Sequence, residues 1–189
     1  MKNLITLTFV VFFAFAFTPN NIGEGLSVDT NKSEITWKGY KVTGEHAGTL
    51  KVKSGDLNFT DGKLTGGNFV IDMASLAVTD LKGGMADKLA GHLKSPDFFG
   101  TEKFQTATLV IKSIGEKSAN VYSVTADLTI KGKTEPVKFE LNVAGNTATA
   151  ALKVNRTKYD IKYGSGSFFD NLGDKTIYDD FDLDVKLTF

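Results

Sequence analysis

The sequence predicts an all-β protein, an antiparallel barrel of about eight strands carrying one short inserted helix and a lid-like loop. Three observations carry this. Apolar and polar residues alternate with period two through most of the chain, the pattern of strands with one face buried and one face wet. Two-residue turn signals such as Asp61-Gly62 and Gly145-Asn146 separate the alternating runs. Composition agrees, because 15 Phe and 19 Gly stand against 3 Pro in 189 residues, which suits apolar strands joined by tight reversals.

The first residues differ from the rest. Lys2 precedes an uncharged apolar run ending at Phe17, with a basic start, a greasy middle and Ala14-Phe15-Ala16 as a cleavage site. The run is short for a membrane span of ~20 residues. Residues 1–16 therefore read as a signal peptide, 17–31 as a polar linker and 32–189 as one barrel domain. An uncleaved anchor or a buried strand is the alternative for the first segment. The expected location is periplasmic or secreted. There is no Cys to be acylated or to form disulfides, so the core alone must hold the domain.

Along the domain, Ile35, Trp37 and Gly39 share one strand face, and Gly44-Glu45-His46-Ala47-Gly48 reads as a glycine-rich interruption. Leu50 and Val52 resume the pattern, but Leu57 and Phe59 continue it out of phase, which predicts a bulge near Ser54-Gly55. Phe69, Ile71 and Met73 form the inward set of the next strand. Met85, Leu89 and Leu93 then recur every four residues, an apolar stripe on a short helix that ends at Ser95-Pro96. The adjacent aromatics of Asp97-Phe98-Phe99-Gly100 fall in a loop, because a regular face cannot bury two neighbours in one direction. Helix and loop together read as a lid.

The sheet resumes with Ala107, Leu109 and Ile111. A three-strand meander follows, with inward sets Tyr122–Ile130, Val137–Val143 and Ala148–Val154. Arg156–Asn171 is irregular and aromatic and reads as a second part of the rim. Phe181, Leu183, Val185, Leu187 and Phe189 close the chain as a strand expected to pair with the first. A barrel disposes of open sheet edges, and small inward residues, Ala126, Ala148 and Ala150, leave volume for a ligand. The rival architecture is a β-sandwich packed solid by the same Phe and Leu residues.

Charge and motifs narrow the function. Lys plus Arg and Asp plus Glu both number 22, so no basic surplus exists to hold nucleic acid. Gly132-Lys133-Thr134 resembles the end of a phosphate loop, but Asp127 stands where the first glycine belongs, and the setting is a hairpin. His46 and His92 have no metal-binding spacing, and Asp182 and Asp184 fall on the polar face of the last strand. Asp170–Asp174 fails the calcium-loop pattern at Leu172, and no Gly-x-Ser-x-Gly elbow occurs. Neither a catalytic group nor a metal site is expected. Three Asn-x-Ser/Thr matches begin at Asn31, Asn58 and Asn155, a pattern that arises by chance in chains of this length.

Five motifs in order resemble the YceI-like family of exported bacterial proteins. They are Trp37-Lys38-Gly39, Gly44–Gly48, Ser95-Pro96-Asp97-Phe98-Phe99, Leu128–Thr134, and Asn155-Arg156-Thr157 with Tyr159 and Ile161. The resemblance runs from about residue 26 to the C-terminus. It implies a lipocalin-like barrel around an isoprenoid chain such as a polyprenyl phosphate or quinone tail, with no other cofactor. Tyr159-Asp160-Ile161 replaces the family's common Phe-Gly-Ile and is expected to make the rim near Arg156 more polar.

On this reading the tail meets Trp37, Leu50, Phe69, Ile71, Leu109, Val124, Leu128, Phe139 and Leu152, with Met85, Leu89, Phe98 and Phe99 at the entrance. Arg156 and His46 are the polar candidates for a headgroup. Arg156 is preferred because its fork suits a phosphate. The expected role is non-enzymatic binding, carriage or storage. An enzyme acting on such a lipid through His46, Arg156 and Asp160 is the second reading, and a solid sandwich serving as an adhesion module is the third. Transient membrane contact and a homodimer are left open by the sequence.

Overall fold

Alternation of apolar and polar residues becomes sheet throughout. The computed structural model describes residues 24–189, so the signal-peptide reading of residues 1–16 lies outside the described residues. Nine strands form among the described residues: β1 (Glu24–Ser27), β2 (Glu34–Lys41), β3 (Gly44–Thr60), β4 (Lys63–Val78), β5 (Thr106–Ser118), β6 (Val121–Ile130), β7 (Lys133–Ala144), β8 (Thr147–Asn155) and β9 (Ile177–Thr188). Helix α1 (Gly84–Lys94) lies between β4 and β5. Strands β2 to β9 close an eight-stranded antiparallel barrel, with β9 against β2 and β3 against β4. The sandwich is thereby excluded. β1 is an addition to the wall, pairing with Asp56–Phe59 of β3. The expected linker 17–31 is therefore part strand, and Leu26, opposite Leu57, is what the polar composition around it concealed.

The turns follow their residues. Asp61-Gly62 and Lys131-Gly132 both have positive φ at the two central positions, as two-residue hairpins of the primed type require. Gly132-Lys133-Thr134 is thus a hairpin between β6 and β7. The expected bulge in β3 is present as a register shift between Val52 and Ser54.

The stretch Gly44–Gly48 is a correction. It is the start of β3, paired residue for residue with Lys41–Trp37 of β2. Gly48 reflects close packing, whereas Gly44, at φ 146° with open space beside it, directly follows the reversal at Val42-Thr43. The Trp37 indole crosses Gly48 and donates from Nε1 to the Ala77 carbonyl at 3.2 Å. A Cβ on Gly48 would lie 1.8 Å from that carbonyl oxygen and 2.6 Å from the indole ring. Gly48→Ala should therefore cost about 1–3 kcal/mol, as overpacking does. It should also shift the emission of Trp37, the chain's single tryptophan, since the ring must move. Urea unfolding followed by Trp37 fluorescence reads both effects, and unaltered emission would contradict this packing.

Two apolar clusters line the barrel interior. One gathers around Leu57, Tyr122, Val124, Leu141 and Ala148. The other joins Met73, Leu76, Leu128 and Leu152 to Leu93, Phe98, Tyr159 and Ile161, which belong to the covering segments. The loop after α1 turns tightly, with the Phe99 N–H donating to Leu93 O and Gly100 N–H to Ser95 O. This turn lets Phe98 and Phe99 point inward together, their ring centroids 5.4 Å apart.

Candidate functional site

The barrel encloses a cavity of ≈ 360 Å³. Its wall is built from inward positions of successive strands: Trp37, Leu50, Phe69, Ile71, Leu109, Leu128, Phe139 and Leu152. Leu89 of α1 and the loop residues Phe98 and Phe99 cover it. Thirteen of the fifteen site residues expected from sequence border this cavity, His46 and Arg156 among them. Two do not. Val124 is fully buried, but it lies in the packed cluster, where its β6 position faces other side chains in place of open space. Met85 is 68 % exposed, because the helical stripe runs one turn further out than the sheet that covers it. Of the three small inward residues, Ala150 borders the cavity, whereas Ala126 and Ala148 are packed solid.

Sequence reasoning left out several wall residues. Phe181, Leu183 and Val185 of β9 line the cavity, as do His92 and Tyr163. The alternation of β9 already marked the first three. His92 follows Leu89 by one turn on the same helical stripe, and its ring packs edge-on to Phe98 and Tyr163, at 5.6 and 4.5 Å between centroids.

Arg156 begins the 3-10 turn Arg156–Tyr159 that follows β8, and it is 2 % exposed. Its Nε donates to Tyr178 O at 3.0 Å, Nη1 to Ile161 O at 2.8 Å and Nη2 to Ile177 O at 2.9 Å. The Asp179 carboxylate is 3.5 Å from Nη2. Burial pushes the Arg156 pKa down, and the neighbouring carboxylate offsets part of that shift. An arginine nonetheless stays charged at neutral pH. The guanidinium is thus a clamp joining the 3-10 turn to the start of β9, and any phosphate would share it with Asp179. That corrects the preference for Arg156 as a free phosphate fork.

His46 projects from β3, its Nδ1 2.8 Å from Asp80 Oδ2, while the Ala47 N–H donates to Asp80 Oδ1 at 3.1 Å. Burial pushes the Asp80 carboxyl up, but the hydrogen bonds from His46 and Ala47 outweigh it and hold the pKa below its ordinary value. The carboxylate can only accept, so Nδ1 carries the proton in this pair. Asp160 is paired with Lys162 at 2.9 Å. His46, Arg156 and Asp160 therefore each engage different partners, and the constellation that the enzymatic reading needs is not assembled.

The expected polar rim at Tyr159-Asp160-Ile161 is also corrected. Tyr159 and Ile161 are buried in the cluster under the lid, and burial pushes the Tyr159 hydroxyl up to about 12. Asp160 sits at φ 60° in the left-handed region, the conformation that glycine adopts most readily and Asp tolerates.

An antiparallel barrel closed around an apolar cavity is an architecture that can hold one small ligand. The chain belongs to the YceI-like domain family, whose pattern matches residues 26–189. Among solved structures it resembles BcnA of Burkholderia cenocepacia, with a TM-score of 0.68, 27 % identity, and coverage of 86 % of this chain and 99 % of that one. It shares its fold with a polyisoprenoid binding domain from Saccharophagus degradans implicated in plant cell wall breakdown, at TM-score 0.59, 17 % identity, and 85 % and 95 % coverage. A UPF0312 protein of Staphylococcus aureus strain USA300 is 37 % identical over 83 residues, 38 % of this chain and 46 % of that protein. The chain thus spans about half the length of the curated relatives it matches.

Proposed function

We propose that the protein binds an isoprenoid lipid, a polyprenyl phosphate or a quinone-like chain, as a non-enzymatic carrier or store in the periplasm or outside the cell. The apolar cavity of ≈ 360 Å³ carries this reading. Each CH₂ withdrawn from water contributes ~0.8 kcal/mol, so such a wall binds a hydrocarbon tail without any hydrogen bond to it. The volume is near the lower end of the ~300–1,000 Å³ usual for ligand sites. A long chain would therefore emerge through the mouth, past His46, His92 and Tyr163. The S. degradans domain, described as polyisoprenoid binding, supports the choice of ligand class.

The test is mass spectrometry of an organic extract of the purified protein, with titration of the stripped protein by a quinone or prenol of defined length. A co-purifying isoprenoid and a saturable change in Trp37 emission are expected, since the indole lines the cavity. Failure of both would overturn the reading.

A further inference from the structure

Among the described residues, eight large apolar side chains are exposed, and six of them gather at the cavity's mouth. Val42, Tyr163, Phe168, Phe169 and Tyr178 are each 48–51 % exposed, and Met85 stands further out. Hydrogen bonds tie the belt together. The Val42 N–H donates to Thr176 O, the Ile177 N–H to Gly164 O, and the Phe168 and Phe169 N–H groups both to Ser165 O. The Tyr163 ring meets His92 of α1 at 4.5 Å, and Met85 lies two turns earlier on the same helical face. Tyr163 and Tyr178 also line the cavity, so its wall reaches this outer surface.

We infer that this rim docks on the surface of a lipid bilayer, placing the cavity mouth against the lipid it loads or delivers; this rests on the lipid reading of the cavity. Half-exposed Tyr partitions into the headgroup region, and Phe into the acyl boundary just beneath it. Lys162 lies 5.0 Å above the Phe168 ring while paired with Asp160, a placement from which an ammonium reaches headgroup phosphates as its aromatic neighbour enters the interface. The segments that carry this belt, 41–46, 80–94 and 158–175, hold lysines and acidic residues in nearly equal number. This balance complements zwitterionic lipid and gives no special attraction to an anionic one. The outer wall carries Lys51, Lys138, Glu140 and Lys186 on its strands, so contact is restricted to the rim.

The experiment is sedimentation of the protein with vesicles of phosphatidylcholine alone and of phosphatidylcholine with phosphatidylglycerol. The variant is Phe168→Ser with Phe169→Ser, two rings outside the cavity lining. Binding to both vesicle types, little changed by high salt, is expected, with a loss of ~10-fold or more in the double variant. Titration of that variant with a soluble short-chain quinone should match the unaltered protein, which shows that the fold and the cavity survive. Absence of vesicle binding, or equal binding by the variant, overturns the inference. Binding that appears only with phosphatidylglycerol and vanishes in salt overturns it as well. Self-association removed by the double substitution, without vesicle binding, would assign the rim to a second copy instead. Vesicle docking by a protein that holds no isoprenoid would sink the cavity reading and leave the docking surface standing.

Discussion

Arg156→Ala is expected to lower the stability of the barrel by about 3–5 kcal/mol, the range seen when one partner of a buried charged network is removed. The substitution strips three carbonyls, those of Ile161, Ile177 and Tyr178, of their donors, and leaves Asp179 facing a void. Each orphaned buried acceptor costs about 1–3 kcal/mol before water reaches it. The upper end of their sum exceeds the stated range, but the clamp is near the mouth, where partial opening can hydrate some of the carbonyls. In a domain of this size the loss corresponds to a fall in Tm of roughly 10 °C. Arg156→Lys should recover only part of it, because one ammonium cannot serve three carbonyls held apart in space. Urea midpoints for both variants check this. Were Arg156 a headgroup anchor, Arg156→Ala would keep its midpoint and lose ligand, the reverse of what the geometry implies.

The reason the arginine's role was not legible in the sequence is general. Period-two alternation reports which way a side chain points, and that was enough to identify Trp37, Leu50, Phe69, Leu109 and Leu128 as inward. It does not report how far along the barrel axis a residue lies. Val124 and Leu128 belong to the same face of β6, yet Val124 is enclosed by side chains and only Leu128 borders open space. The partners of a side chain brought together by long-range pairing are equally hidden. Arg156 meets carbonyls about twenty residues further on, and its residue type alone fits an anion as well as a main-chain clamp. Gly44–Gly48 misled for a related reason. Glycine serves both turns and close approach, and only the tertiary position of the Trp37 ring distinguishes the two.

The cavity reaches some inward positions and not others, which gives a matched pair of substitutions with opposite outcomes. Ala148 and Ala150 are neighbours on one face of β8, two residues apart. Ala148 is fully buried and does not reach the cavity, whereas Ala150 borders it and forms the last β7–β8 pair, with Leu141. Ala150→Phe should send its ring into the vacant space, with a stability change no greater than the ~1–3 kcal/mol usual for added bulk. Affinity for an isoprenoid chain should then fall about 100-fold, equivalent to displacing three or four methylenes at ~0.8 kcal/mol each. Ala148→Phe has no vacancy to enter. It should unfold the barrel at markedly lower denaturant while telling nothing about the ligand. Titration by Trp37 emission and urea melts of the two variants measure both quantities. Equal destabilisation by both would mean that the space beside Ala150 is closed in solution, and the lipid would then need another place to lie.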